Sequence, residues 1–334
     1  MGGGDPVKAV LRIVRVILWG FLAMSGVGAA LFGYFVYTPA VEIPPLTGTF
    51  KKDSIVVNRL TRTYWTYAPR GLVRGAPLVI VMHGSGENGV QMRLETGYAF
   101  DRLADEHHFA VVYPDALAHG GDWNACGTVG DDSADGSGID DVRFLTDVVD
   151  RLVTEIGTDP SRTFAAGGSR GGFMAFRLAL EAPARFRAVA AVSANVHTSD
   201  NFKCKPSPSG TSSVMIINGT EDPLVPFDGG EVNLLGFSYK YGNVMSSRQS
   251  AQHFGDLNHL AGAGETTETL VAEGIRVEQV LWRDDSREVE LVAVHGGGHG
   301  MPQPYRRHPR LLGPSPKEPN APEMIWAFFE RQRP

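Results

Sequence analysis

The stretch TFAAGGSRGGFMAFRLALEAP, residues 163–183, decides the reading of this chain. It begins as a strand, TFAAGGS, and runs directly into a helix, RGGFMAFRLALEAP. At the junction, Gly167-Gly168-Ser169-Arg170-Gly171 fits the pattern G-x-S-x-G. A sharp strand-to-helix turn admits only small flanking residues and holds its serine out of the fold. The start of the following helix turns backbone N–H groups toward any oxyanion that develops there. Ser169 is therefore a candidate nucleophile. The competing reading is a glycine-rich turn in which Ser169 only caps the helix.

On the N-terminal side of this stretch, APLVIVMHG (76–84) and FAVVYPDA (109–116) are continuous apolar runs, as expected of strands buried on both faces. Between them, Gln91 to His107 reads as one helix with Leu94, Phe100, Leu103 and Ala104 inward. A long loop rich in Gly and Asp spans 120–140. Asp140 or Asp141 then caps a helix whose Val142, Leu145, Val149, Leu152 and Ile156 share one face. Downstream, RAVAAVSA (187–194), SSVMIINGT (212–220) and VELVAVHGG (289–297) read as strands. Ser247 to Leu260 and APEMIWAFFERQR (321–333) read as helices. Upstream, SIVVNRLTRTYWTYAP (54–69) reads as two antiparallel strands with no clear break between them. Strands alternating with helices predict an α/β fold, a mostly parallel sheet flanked by helices. Ligands on such sheets bind beyond the carboxyl ends of the strands.

A serine hydroxyl needs a base, and the base needs a third group to hold it. Asp222, in NGTEDPLVP, directly follows a predicted strand, and its neighbour Glu221 is the weaker candidate. His299 lies in HGGGHG after the last strand, whereas His295 falls within or at the end of that strand. The order Ser169, Asp222, His299 is that of the α/β-hydrolase triad. After the first buried strand comes His83-Gly84-Ser85, where this fold places one oxyanion donor, the other following the nucleophile. The backbone N–H groups of Ser85 and Arg170 take those places, and His83 reads as structural. Three glycines between His295 and His299 oppose a helical metal pair, and no H-E-x-x-H occurs, so neither metal nor cofactor is expected.

Composition bounds the rest. Across 334 residues, 43% are hydrophobic and 20% charged, which supports a real core and excludes global disorder. A net charge of -6 leaves no basic footprint for nucleic acid. Two cysteines exclude a disulfide-rich scaffold and a four-cysteine zinc site.

The N-terminus stands apart. No charged residue occurs from Val16 to Val41, a run longer than the roughly 20 apolar residues that span a bilayer. Lys8, Arg12 and Arg15 precede it, which by the positive-inside rule keeps the N-terminus cytoplasmic and sends the body out. The run also exceeds the about 7–15 residues usual in a signal peptide. We therefore expect a cytoplasmic tail at 1–15, an uncleaved transmembrane signal anchor at 16–41, a proline-bearing linker at 42–54 and a catalytic domain at 55–334. The expected location is the cell membrane, single-pass, with the catalytic domain outside the cytoplasm. Cleavage near Gly28-Ala29-Ala30 would give a secreted protein instead, and a buried soluble helix is a third reading.

Several pieces then combine into a resemblance. VMHGSGENG (81–89), AVVYPDA (110–116), DWNACG (122–127), GIDDVRFL (138–145), the elbow stretch, NGTEDPLVPFDGG (218–230), GGGHGMP (296–302) and MIWAFF (324–329) come in the order seen in the polyhydroxybutyrate depolymerase-like esterases, a group that includes feruloyl and acetylxylan esterases. The resemblance runs from about Arg62 to Phe329. It implies an α/β-hydrolase serine esterase with Ser169 as nucleophile, Asp222 as acid and His299 as base. The implied substrate is a small-molecule or oligomeric ester, such as a polyhydroxyalkanoate oligomer or a polysaccharide-linked acyl ester. Two positions depart from the family: Arg170, where Asn or a small residue is frequent, and Met301, where Trp is usual. Met301 belongs either to the substrate pocket or to the core beneath the histidine loop, and Trp123 either to a substrate platform or to the core. The resemblance and an oxidising compartment imply a disulfide between Cys126 and Cys204, two buried thiols being the other reading. A serine peptidase, a thioesterase and a catalytically idle binding protein share the same fold and remain alternatives.

Overall fold

Strands and helices alternate along the chain in a computed structural model that describes residues 6–117, 121–127, 139–234, 237–262, 264–271 and 274–332. Helix α1 (Pro6–Phe35) is followed by β1 (Thr49–Val57), β2 (Leu60–Ala68), β3 (Leu78–Met82), α2 (Gly89–Glu95), α3 (Ala99–His107), β4 (Ala110–Pro114), α4 (Asp141–Glu155), β5 (Thr163–Gly168), α5 (Arg170–Glu181), β6 (Ala188–Val192) and β7 (Ser213–Gly219). Then come β8 (Gly230–Leu234), β9 (Phe237–Val244), α6 (Ser247–Leu257), β10 (Glu265–Leu270), β11 (Arg276–Arg283), β12 (Glu288–Val294) and α7 (Ala321–Arg331).

Among the described residues, ten strands form one sheet in the order β1-β2-β4-β3-β5-β6-β7-β12-β11-β10, and β8 and β9 pair separately. The run from β4 to β12 is parallel, with antiparallel strands at both edges. The parallel strands are the apolar runs of the sequence, because helices cover both of their faces. Successive side chains alternate between the two layers. Leu78, Ile80 and Met82 pack with Phe144, Phe176 and Phe254 of α4, α5 and α6. Val79 and Val81 pack with Phe100, Ile325 and Phe328 of α3 and α7. Each fully buried Phe or Leu side chain stabilises the fold by about 1.5–3 kcal/mol, so the two layers fasten the helices more firmly than helix propensity does. The loops after β3, β5, β7 and β12 consequently leave the sheet at one end.

Four expected boundaries move. The expected linker at 42–54 is strand from Thr49 onward, because β1 pairs with β2 along its whole length. The two-residue turn Asn58-Arg59 joins them, both residues at positive φ, which matches the twist of an antiparallel pair. The expected helix at 91–107 is two helices, broken where Gly97 takes φ +59° and its backbone approaches Tyr305 too closely for a side chain. The apolar N-terminal helix starts earlier than the expected 16 and ends at Phe35, with the Val36 and Tyr37 N–H groups closing back on the Phe32 carbonyl. Pro39 cannot continue the helical hydrogen-bond ladder. The Gly- and Asp-rich loop expected at 120–140 lies largely outside the described residues.

Candidate active site

Ser169 joins β5 to α5 with φ 51° and ψ -121°. Its side chain makes no capping hydrogen bond, so the cap reading fails. Two contacts force the strained turn. A Cβ on Gly167 would sit 2.2 Å from the Gly171 carbonyl oxygen, and one on Gly171 would sit 2.3 Å from the Met82 carbonyl oxygen. Helix α5 therefore presses backbone to backbone on the ends of β5 and β3, and only glycine permits it. The Ser169 N–H donates to the Val192 carbonyl of β6 at 2.8 Å, which fixes the turn from its other side.

His299 and Asp222 meet from adjacent strand ends, with His299 Nδ1 2.8 Å from Asp222 Oδ2. The Asp222 side chain is almost fully buried, and its Oδ1 accepts from the Leu224 and Val225 N–H groups at 2.8 and 2.9 Å. A carboxylate only accepts, so Nδ1 is the donor in the pair and Nε2 is left to take a proton. Backbone bonds lock the two loops together: Glu221 N–H to the Gly297 carbonyl at 2.8 Å and Thr220 N–H to the Val294 carbonyl at 3.1 Å. Glu221 itself is exposed. His295 stands elsewhere, its Nδ1 2.9 Å from Arg276 Nη2 and its Nε2 3.7 Å from Glu278.

Ser85, Ser169, Arg170, His299 and Met301 all line one cavity of about 390 Å³. Gly84 brings the Ser85 loop against the elbow: a Cβ on it would lie 3.5 Å from that of Ser169. His83 beneath is buried, with Nε2 accepting from the Ala116 N–H at 3.0 Å and Nδ1 2.7 Å from the Gly84 carbonyl. Burial pushes this imidazole down, so it stays neutral and braces the loop. Trp123 is fully buried and is not among the cavity's lining residues; its Nε1 donates to the His83 carbonyl at 3.0 Å. Of its two readings, platform and core, it occupies the core. Arg170 is also buried, and its Nε donates to the Trp123 carbonyl at 2.9 Å. Met301 satisfies both of its readings, lining the cavity while packing in the layer under α7. Cys126 and Cys204 form a disulfide with Cα atoms 4.8 Å apart.

Residues 62–250 match the family described as Esterase PHB depolymerase. NocK of Nocardia uniformis subsp. tsuyamanensis, assigned by name to the esterases, is 30% identical over 300 residues, 84% of this chain and 83% of its own. The chain belongs to the Esterase PHB depolymerase family. Poly(3-hydroxyalkanoate) depolymerase C of Paucimonas lemoignei is 27% identical over 126 residues, 38% of this chain and 30% of that protein. An acetyl xylan esterase from Aspergillus awamori shares the fold, with a TM-score of 0.54 at 17% identity over 75% of this chain and 94% of that one. The chain is thus a carboxylic ester hydrolase with an α/β-hydrolase fold.

Sequence reasoning passes over four polar residues of this esterase's cavity: Glu87, Glu95, Arg306 and His308. Glu87 accepts the Gly84 N–H at 3.0 Å beside the elbow, and burial, with the nearby Glu95 charge, raises its pKa. Glu95 holds Arg306 through two bonds of 2.7 and 3.0 Å, with His308 Nδ1 3.4 Å away. Burial alone would raise Glu95, yet His308 and Arg306 together hold it below the ordinary carboxylate range. Glu87, two positions after Ser85, was open to detection from its loop. Glu95 and Arg306 are 211 positions apart, and no local pattern links them.

Proposed function

We propose that this esterase is a serine hydrolase held at the membrane, with its catalytic body outside the cytoplasm. Ser169 Oγ attacks the ester carbonyl while His299 Nε2 takes its proton, and Asp222 keeps the imidazole in the required tautomer. The N–H groups of Ser85 and Arg170 receive the oxyanion, where a single donor is worth about 10²–10³ in turnover. His299 then protonates the leaving alcohol, and a water it deprotonates cleaves the acyl-enzyme. The observation that carries this reading is the convergence of an uncapped, positive-φ Ser169 and the buried His299–Asp222 pair on one cavity. Its volume of about 390 Å³ and apolar walls, Phe173, Leu224, Val225 and Leu312 among them, suit a small or oligomeric ester with an aliphatic acyl group. Ser169→Ala is expected to cut p-nitrophenyl ester turnover by about 10⁶ with the fold unchanged by circular dichroism. Activity within tenfold of the parent overturns the assignment.

The anchor reading is supported by α1. This helix carries no charged residue from Val16 to Phe35 and is long and apolar enough to cross a membrane. At about 1.5 Å per residue that charge-free part matches the roughly 30 Å hydrocarbon layer. Membrane fractionation and protease shaving of intact cells test it. A soluble mature chain, or a body shielded in the cytoplasm, contradicts it.

A further inference from the structure

The last turn of α1 rests on the wall of the catalytic cavity. Arg310 Nη1 donates to the Tyr34 carbonyl at 3.1 Å, and its guanidinium stacks 4.4 Å from the Tyr34 ring centroid. Pro309 and Leu311, on either side of Arg310, line the cavity that holds Ser169 and His299. The next residue, Leu312, lines it too and accepts the His299 N–H at 2.6 Å through its carbonyl. One short turn is therefore both a wall of the active site and the seat of the apolar helix.

The connection between helix and body is short and tied at its far end. Thr47 donates twice to Asp105, at 2.8 Å each, and the Gly48 N–H donates to the Tyr67 hydroxyl at 2.8 Å. Pro44 is already buried against the body. Residues 36–43 join Phe35 to the buried Pro44, and at about 3.3–3.6 Å per residue they keep that point of the body within roughly 30 Å of the end of α1.

The rim has the composition of a membrane-facing surface. Tyr305-Arg306-Arg307-His308-Pro309-Arg310 carries three arginines in a chain of net charge -6. Arg306 is held by Glu95, whereas Tyr305, Arg307 and Arg310 are exposed. Exposed tyrosine and arginine beside the end of an apolar helix suit the headgroup layer, where aromatic rings sit at both interfaces and long cationic side chains snorkel. On the rest of the molecule the net charge would repel an anionic surface.

We infer that the catalytic mouth opens onto the outer membrane–water interface and that its substrate is a lipid-borne ester, whose aliphatic acyl chain enters from the bilayer. The inference rests on the anchor reading and deepens it. A short tether holds the site where such an ester is concentrated, which raises its effective concentration over that of a dissolved one.

The test uses the full chain reconstituted in phosphatidylcholine–phosphatidylglycerol vesicles carrying monooleoylglycerol, with p-nitrophenyl acetate as the dissolved ester. A flexible Gly/Ser insertion of about 20 residues between the exposed Pro39 and Ala40 lengthens the tether, so that the body can leave the end of α1. Monooleoylglycerol turnover is expected to fall about fivefold or more, with p-nitrophenyl acetate turnover within about twofold of the parent. A chain that fails to float with the vesicles contradicts the anchor reading and this inference together. A chain that floats but does not hydrolyse monooleoylglycerol, or does so equally with and without the insertion, overturns this inference alone. An environment-sensitive dye gives a second readout. Placed through Arg307→Cys it should shift to the blue on vesicles, and through Asp285→Cys, in the turn between β11 and β12 at the opposite end of the sheet, it should not. Equal shifts, or none, overturn the inference.

Discussion

The elbow and the rim face each other across one cavity, and they are held in opposite ways. The elbow is fixed by backbone contacts: Gly167 and Gly171 allow β5, α5 and β3 to touch, and Ser169 donates to β6. The rim, from Met301 to Leu312, is fixed largely by side chains from distant parts of the chain. Gln303 donates to the Glu95 carbonyl at 3.1 Å, Arg306 pairs with Glu95, and Arg310 seats Tyr34. Backbone packing has no adjustable parts, and it carries the groups assigned to chemistry. Side-chain pairing can be rewritten one residue at a time, and it shapes the wall of the cavity that the ester is proposed to enter. Substitutions on the two sides should therefore differ in kind as well as in size.

The largest effect belongs to the base proposed to act on the elbow serine. His299→Ala should lower kcat on p-nitrophenyl acetate by about 10⁶, while His295→Ala should stay within about threefold. The reverse pattern would move the base to the end of β12 and break the contrast. Next comes the covalent support under the elbow. The disulfide closes a loop of 78 positions and pins the Trp123–Cys126 strip that Arg170 bonds. On the chain-entropy account such a loop is worth roughly 4–5 kcal/mol. Cys126→Ser with Cys204→Ser should lower stability by up to that amount in urea titrations, with kcat of the folded fraction little changed.

On the rim side, Glu95→Gln should raise KM about three- to tenfold with kcat within about threefold, since it loosens a wall without touching the triad. The ion pair also sets a pH dependence. The pKa of Glu95 is depressed from 4.5, so the stability it contributes is present above about pH 4.5 and is lost as the pH falls through its lower folded value. The stability difference between Glu95→Gln and the parent should therefore shrink between pH 7 and pH 3 in denaturant titrations. The effect of Met301→Trp is of similar size. An aromatic contact is worth about 0.5–1.5 kcal/mol beyond burial, so kcat/KM should shift roughly 2- to 13-fold toward hydroxycinnamate over aliphatic esters. An equal loss on every ester would assign Met301 to packing alone.

The same contrast explains what was legible in the sequence. β3, β5, β7 and β12 are apolar runs ending in glycine or a small polar loop, so the strand ends and the residues after them could be read directly. The elbow was legible because its constraint is local and only glycine meets it. The edge pair β10–β11 was not, because β11 buries Glu278 beside Val277, and that carboxylate is held by Arg248 of α6 through bonds of 2.7 and 2.8 Å. A buried charge interrupts the period-two pattern, and its partner lies far away in sequence. The break at Gly97 was hidden because its cause is the approach of Tyr305 from the rim. Trp123 and Met301 were open alternatives for the same reason: whether an apolar residue meets substrate or core depends on what packs opposite it.

His299 and Asp222 are proposed to activate Ser169, and covalent capture of the serine bears on this without the need for a known substrate. A fluorophosphonate probe on the full chain, followed by peptide mass spectrometry, should give one stoichiometric adduct on Ser169. His299→Ala should slow that labelling by at least about 10²–10⁴, the usual contribution of a general base. An adduct on another residue, or labelling of Ser169 at an unchanged rate in His299→Ala, would contradict the account.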